Sequence, residues 1–262
     1  MSTLDIAGQT ILITGASSGI GTGYARAFAQ REANLVLVAR RGEALRTLAA
    51  ELTTQYGVKA EVVELDLTSP GATETLIGLH PQIDGLVNNA GFGTSGVLQE
   101  QDAARIHQEI QLNCGVLVDL TRAYLPGMLE RQRGTIINVA STAAFQPIPG
   151  MAVYGATKAF VLSFTQALWG EVQRNPGNQE NNIRVLAICP GATSTEFFDT
   201  AGANAAVGRM RSVDQVVATT FRGLERNQHS TVDGLANRIL AQFARLAPRN
   251  LVIPVVQRMM RG

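Results

Sequence analysis

The sequence predicts an α/β fold in which a parallel sheet is wrapped by helices in a single domain. Three observations predict it. Short apolar runs rich in β-branched residues recur along the chain, as in strands buried on both faces. Stretches with helical apolar periodicity separate them. The first such run passes directly into a glycine-rich turn and then into a helix, the order of a phosphate-binding strand–turn–helix unit.

Length and composition bound the reading. A chain of 262 residues suits one domain with a substantial core. Its 45% hydrophobic content, 26 glycines and net charge of +1 exclude a disordered chain and a nucleic-acid-binding one. Cys114 and Cys189 stand far apart in apolar contexts, so the expectation is reduced thiols and a cytoplasmic setting. The N-terminal Met1-Ser2-Thr3-Leu4-Asp5 lacks the pattern of a secretory signal. The uncharged stretch Gly134 to Thr157 is interrupted by Pro147 and Pro149 and does not read as a membrane span.

Thr10-Ile11-Leu12-Ile13-Thr14 is the first strand. Gly15-Ala16-Ser17-Ser18-Gly19-Ile20-Gly21 follows, and a helix runs on through Tyr24, Ala25 and Phe28. Glycines permit close backbone approach there, while free N–H groups and the helix dipole favour an anion. The second strand, Asn34 to Ala39, ends in Arg40-Arg41. An acid at that strand end would grip a ribose 2′-hydroxyl; two guanidiniums suit a 2′-phosphate instead, which points to NADP(H). A helix from about Glu43 to Tyr56 precedes the third strand, Ala60 to Leu65, with Asp66-Leu67 at its carboxyl end.

After a short helix, the fourth strand, Asp84 to Val87, runs into Asn88-Asn89-Ala90-Gly91, small residues against which a cofactor can lie. The stretch from about Ala103 to Arg131 reads as one helix. Asn113, a poor helix-interior residue, marks either a local distortion whose freed backbone groups could hold water or an ordinary buried amide. The strand Thr135 to Ala140 ends at the hydroxyl of Ser141. Beyond a Pro/Gly-rich turn, an Ala-rich helix carries Tyr154 and Lys158 about one turn apart on one face. An ammonium beside a phenol favours phenolate, so the expectation is a tyrosine pKa lowered from about 10 towards neutrality. Lys158 and Lys59 are the chain's two lysines.

A polar loop, Arg174 to Asn182, leads to the strand Ile183 to Cys189, closed by Pro190-Gly191. Ala192 to Gly208 reads as a mobile loop over a site. Ser212 caps a helix that runs to about Asn227. At the end, Leu235, Ile239, Leu240, Phe243 and Leu246 form an apolar helical stripe, and from Arg209 onward nine arginines face Asp214, Glu225 and Asp233. The expectation is that this end packs on its own domain with arginine stems along the surface. The alternative is an anionic membrane surface or a partner.

These residues together resemble the short-chain dehydrogenase/reductase family in its one-domain form, over roughly residues 7 to 195. Thr14-Gly-Ala-Ser-Ser-Gly-Ile-Gly21 is similar to its cofactor motif, Asn88 to Gly91 to its sheet-stabilising motif, and Tyr154-Gly-Ala-Thr-Lys158 to its Tyr-x-x-x-Lys signature. Ser141 and Asn113 fall where the family places two further catalytic residues. Pro190-Gly191 with Thr193 and Thr195 resembles the segment that contacts the nicotinamide end.

The resemblance implies a Rossmann-like doubly wound sheet in the order 3-2-1-4-5-6-7. It also implies a variable substrate-side and C-terminal segment from about 192 to 262, and a homodimer or homotetramer built on the helices around Cys114 to Arg131 and Ala152 to Gln173. It implies roles as well. Ser141 would bind the substrate oxygen, and Tyr154 would give or take the proton. Lys158 would tune Tyr154 and hold the nicotinamide ribose, and Asn113 would keep a water in line.

The reading is an NADP(H)-dependent oxidoreductase interconverting a small-molecule carbonyl and an alcohol, with no metal. Phe92, Phe145, Met151, Phe197 and Phe198 are candidates for an apolar pocket suited to a hydrophobic ketone, aldehyde, 3-oxoacyl chain or steroid. A non-catalytic NADP(H) sensor and a membrane-surface scaffold are the rival readings on the same fold; the presence of both Tyr154 and Lys158 favours catalysis.

Overall fold

Strand burial sets the architecture. Thr10–Thr14 (β1) sends Ile11 and Ile13 into one apolar core and Leu12 into another on the opposite side, all fully buried. A strand with apolar matter on both faces requires helices on both. The computed structural model describes residues 5–174, 182–195 and 210–259. There Asn34–Ala39 (β2), Ala60–Glu64 (β3), Gly85–Asn88 (β4), Arg133–Val139 (β5), Asn182–Cys189 (β6) and Ser230–Val232 (β7) join β1 in one sheet, ordered β3-β2-β1-β4-β5-β6-β7. Every pairing is parallel.

The helices are Gly19–Ala29 (α1), Gly42–Tyr56 (α2), Ala72–Leu79 (α3), Ala103–Ile110 (α4), Val116–Glu130 (α5), Ala152–Gln173 (α6), Val213–Glu225 (α7), Leu235–Leu246 (α8) and Arg249–Met259 (α9). Tyr24 and Phe28 of α1, Leu45 and Leu52 of α2 and Phe221 of α7 pack on the Ile11 side. Leu76 of α3, Leu120 of α5 and Leu168 of α6 pack on the Leu12 side. Burial of each such side chain contributes about 1.5–3 kcal/mol. Chain order reverses between β1 and β4, which leaves a crevice at the strands' carboxyl ends.

Two expectations are corrected. The helix read from Ala103 to Arg131 is two helices joined by a π-helical turn, Gln111–Gly115. Asn113 does sit in that distortion. The C-terminal stripe does not pack on the domain. Leu235, Ile239, Leu240, Phe243 and Leu246 are exposed, while Ala241 and Ala244 of the same helix are buried.

The loop read at Arg174 to Asn182 and the one read at Ala192 to Gly208 lie largely outside the described residues, with Phe197, Phe198, Arg209 and Arg261. The flanks of the second are pinned. Thr193 pairs with Arg211 in a parallel bridge, with Arg211 N donating to Ala192 O at 2.8 Å and Ser194 N to Arg211 O at 3.0 Å. Arg211 in turn forks onto the fully buried Asp233, Nε to Oδ2 at 2.8 Å and Nη2 to Oδ1 at 3.0 Å, and Thr219 Oγ1 donates to Asp233 Oδ1 at 2.7 Å.

Candidate active site

The turn after β1 is shaped by backbone that only glycine takes comfortably: Gly15 and Gly19 have φ of 65° and 54°. A Cβ on Gly21 would overlap Gly15 O and crowd Asn89 Nδ2 at 2.7 Å, so that glycine lets α1 close onto the turn. The end of β4 fastens the same turn from the other side. Asn89 Nδ2 donates to Thr14 O (2.9 Å) and Gly15 O (3.1 Å), while Thr14 Oγ1 accepts from Asn89 N and Ala90 N, both at 3.0 Å. Below, a buried amide chain ties β4 to β5 and α6: Asn88 Nδ2 donates to Asn138 Oδ1 at 2.9 Å, and Asn138 Nδ2 to Thr165 Oγ1 at 2.9 Å.

A cleft of about 530 Å³ opens over this edge. Gly15, Ser17, Ser18, Gly19 and Ile20 line one end, with Arg40 and Arg41 beside them. Asp66, Leu67, Asn89, Ala90 and Gly91 line the middle, and Ser141, Tyr154, Lys158, Pro190, Gly191, Thr193 and Thr195 the other end. Of the residues expected at the site, Gly21 and Asn113 lie behind the wall. Among the apolar candidates Phe92 and Met151 line the cleft, whereas Phe145 is buried in the core under Arg245, whose guanidinium lies 5.9 Å from its ring centre.

At the arginine end, Arg41 folds back on the glycine turn, Nε to Ser17 Oγ and Nη2 to Ser17 O, both at 3.3 Å. Arg40 stays exposed, 3.9 Å from Asp66 Oδ2. Partial burial pushes the Asp66 carboxyl up, but hydrogen bonds from Thr68 N and Oγ1 and the Arg40 charge outweigh it and hold it below the usual carboxylate range. Glu64 on the neighbouring strand is engaged by Arg46 at 3.2 Å. A free N-terminal turn, glycine backbone and an exposed guanidinium without an acid on β2 fit a phosphorylated dinucleotide.

At the other end, Ser141 follows β5 and starts a 3₁₀ turn, its Oγ accepting from Ala143 N at 3.1 Å. The same hydroxyl lies near enough to the Tyr154 phenol to favour its ionised form, and both line the cleft. Lys158, buried one turn along α6, donates from Nζ to Val139 O at 2.8 Å, with Nζ 5.8 Å from the Tyr154 ring centre.

The expected depression of the tyrosine is not what this environment produces. Burial pushes Tyr154 up to about 12, against the effect of the Ser141 hydroxyl and helped by the nearby Glu109 charge. Burial also brings Lys158 down to about 8, partly offset by Cys114, Cys189 and Glu109. Tyr154 is half-buried at the cleft wall, and desolvation there is the largest effect on it, so phenol is the favoured form.

Asn113 clasps the loop that follows β4: Oδ1 accepts from Phe92 N (3.1 Å), and Nδ2 donates to Phe92 O (2.9 Å) and Thr157 Oγ1 (3.0 Å). Thr157 Oγ1 donates to Tyr154 O at 2.8 Å, so the π-turn is coupled to the first turn of α6. Gly91 sits between Asn113 and Lys158; a Cβ on it would meet Asn113 Oδ1 at 2.7 Å.

Sequence reading missed Glu109. It has no exposed surface, its Oε2 accepts from Thr94 Oγ1 (2.6 Å) and Thr94 N (2.9 Å), and its Oε1 has no hydrogen-bond partner. Its place one turn before Asn113 was a usable signal. Val256 of α9 also reaches the cleft, and nothing in the sequence pointed there. Among the described residues no cluster of His, Cys, Asp and Glu could hold a metal, and no helix is long and apolar enough to cross a membrane.

Residues 9–206 match the family model described as short chain dehydrogenase. A sulfoacetaldehyde reductase of Chromohalobacter salexigens is 39% identical over 71% of this chain and 73% of its own. An NADP-dependent 3-hydroxy acid dehydrogenase of Schizosaccharomyces pombe is 38% identical over 75% of each chain. A solved short-chain dehydrogenase from Sphingobium yanoikuyae in complex with NADPH superposes with a TM-score of 0.80 at 38% identity, covering 89% of this chain and 92% of that one.

Proposed function

The chain belongs to the short-chain dehydrogenase/reductase family, and on that premise we propose that Ser141, Tyr154 and Lys158 carry its reaction. It is an NADP(H)-dependent oxidoreductase that interconverts a carbonyl and an alcohol, like the NADP-dependent dehydrogenase and the NADPH-bound structure it is similar to. The observation that carries the assignment is that Ser141 and Tyr154 line the same end of the cleft, with the buried ammonium of Lys158 5.8 Å from the Tyr154 ring centre.

The dinucleotide supplies the hydride. The Gly15–Gly21 turn and the start of α1 would hold its pyrophosphate, Arg40 and Arg41 the 2′-phosphate, Asp66 and Leu67 the adenine end, and Asn89 to Gly91 its middle. Lys158 would hold the nicotinamide ribose, and Pro190, Gly191, Thr193 and Thr195 would line the nicotinamide side. In reduction, Ser141 donates a hydrogen bond to the carbonyl oxygen, and Tyr154 gives that oxygen the proton. A phenol held protonated is the right form for a donor, and Lys158 offsets the phenolate left behind. The side chain of Asn113 is spent on Phe92 and Thr157, so holding a water that refills the proton falls to main-chain groups of the π-turn.

The substrate is an apolar carbonyl compound received against Phe92 and Met151. The molecule works in the cytoplasm as a dimer or tetramer through α5 and α6, whose outward small residues Ala156, Ala159 and Ala167 permit close helix approach.

The test is NADPH consumption over a panel of ketones and aldehydes by native protein and by Tyr154→Phe, beside NADPH titration of both. The expected result is a 10²–10⁴-fold loss of turnover, the scale of positioned acid catalysis, with NADPH affinity retained. Turnover preserved in the phenylalanine variant would defeat the assignment.

A further inference from the structure

The C-terminal helices face the wrong way for a domain cover. At about 3.6 residues per turn, Leu235, Ile239, Leu240, Phe243 and Leu246 share one face of α8. That face is exposed, from 59% at Ile239 to 84% at Leu246. The face turned to the domain is made of Ala241 and Ala244. A surface helix normally buries its large apolar side chains and shows polar ones. On α9, Leu251 and Val255 lie one turn apart and are both exposed, while Val256 turns inward to the cleft. Five large apolar side chains exposed along one face of α8 mark a contact face.

Charge selects the occupant. From Leu235 to the end the chain holds five arginines and no acidic residue, leaving 17 basic against 21 acidic residues elsewhere. Arg238 and Arg245 lie beside the apolar face of α8, and both are exposed, as is Arg258 on α9. A second copy meeting this face through a two-fold axis would set arginines against arginines. An anionic bilayer offers both complements at once, phosphate oxygens at the surface and hydrocarbon a few ångströms below.

We propose that α8 and α9 form a peripheral docking face for anionic lipid membranes, with the Leu/Ile/Phe stripe seated at the headgroup–acyl boundary and the arginines on the phosphates. Because Val256 lines the cleft and Arg245 lies over Phe145, docking brings the cleft beside the lipid. A carbonyl compound dissolved in the bilayer then reaches Tyr154 without crossing bulk water. That consequence rests on the oxidoreductase reading; the docking itself does not.

The experiment is co-sedimentation of the full chain with phosphatidylglycerol/phosphatidylcholine vesicles and with pure phosphatidylcholine vesicles, over a salt series. Binding is expected on the anionic vesicles, weakening as salt rises, with little on the neutral ones. Leu240→Glu/Phe243→Glu should abolish binding while leaving thermal unfolding and solution NADPH consumption as in the native protein. Arg238→Gln and Arg245→Gln should each weaken binding by about fivefold. No sedimentation at low salt, or binding retained by the double glutamate variant, overturns the proposal. So does light scattering that shows the glutamates splitting a native oligomer, which would give this face to a second copy. None of these readouts requires turnover, so a failure here is separable from a failure of the catalytic assignment.

Discussion

Individual side chains decide the acid–base behaviour. With Tyr154 pushed up to about 12 and Lys158 brought down to about 8, the neutral range titrates the lysine and not the phenol. An ammonium is present below its pKa and lost above it, so carbonyl reduction should fall as pH rises through about 8. Glu109 raises Lys158 by its charge. Glu109→Gln keeps an oxygen for Thr94 and removes that charge, so the alkaline limb should move to lower pH; a pH–rate profile of kcat that stays in place would show Glu109 to be structural only. Cofactor choice is also a single-residue matter. Arg40→Ala should shrink the preference for NADPH over NADH by about tenfold or more, the scale of a hydrogen bond to a charged group, read by titration with both cofactors.

At the scale of elements, the clamp on Asp233 is the feature whose removal should be felt most. Burial pushes this carboxyl up, but Arg211 and Thr219 more than offset it and hold it below the usual range. A carboxylate with a depressed folded pKa stabilises the fold above its unfolded value of about 3.9, and that contribution is lost as pH falls through the folded pKa. Asp233→Asn should therefore destabilise by about 3–5 kcal/mol at neutral pH and flatten the acid limb of stability, measured by denaturant unfolding across pH.

Elements also show what could be read from residues. The six longer strands, the glycine turn and the Ser212 cap, which closes a capping box with Gln215, carry local patterns and stand where those patterns put them. β7 has three residues and no periodicity of its own; it exists because Ala187, Ile188 and Cys189 offer it an edge. The π-turn was legible at Asn113, but its extent depends on contacts with Phe92 and Thr157 that no local window contains. The pKa of Tyr154 followed burial, which spacing along a helix does not report. The stripe on α8 was legible as a stripe, and its direction was not, because amphipathic periodicity locates a face without naming what the face meets.

For the whole molecule, assembly is the next question. Phe160, 43% exposed, stacks on Phe164 with ring centres 5.9 Å apart on the outer side of α6, beside the small residues Ala156 and Ala159. Light scattering at micromolar concentration should report a dimer or tetramer, and Phe160→Glu should lower the mass. A native monomer would contradict the assembly proposed here.

The pairing of Thr193 with Arg211 bears on how such a molecule diversifies. Both ends of the stretch 196–209 are tied together at one neck, outside the seven-stranded sheet, by a strand-like bridge and a buried ion pair. Closing a longer chain between fixed ends is entropically cheap, each doubling of length adding only about 0.6 kcal/mol. Insertions, deletions or wholesale replacement between Thr195 and Met210 can therefore be exchanged without the sheet or the Tyr154–Lys158 pair registering the change. The neck works as a graft junction, through which lineages, or a protein engineer, can trade recognition segments on an unaltered chemical machine.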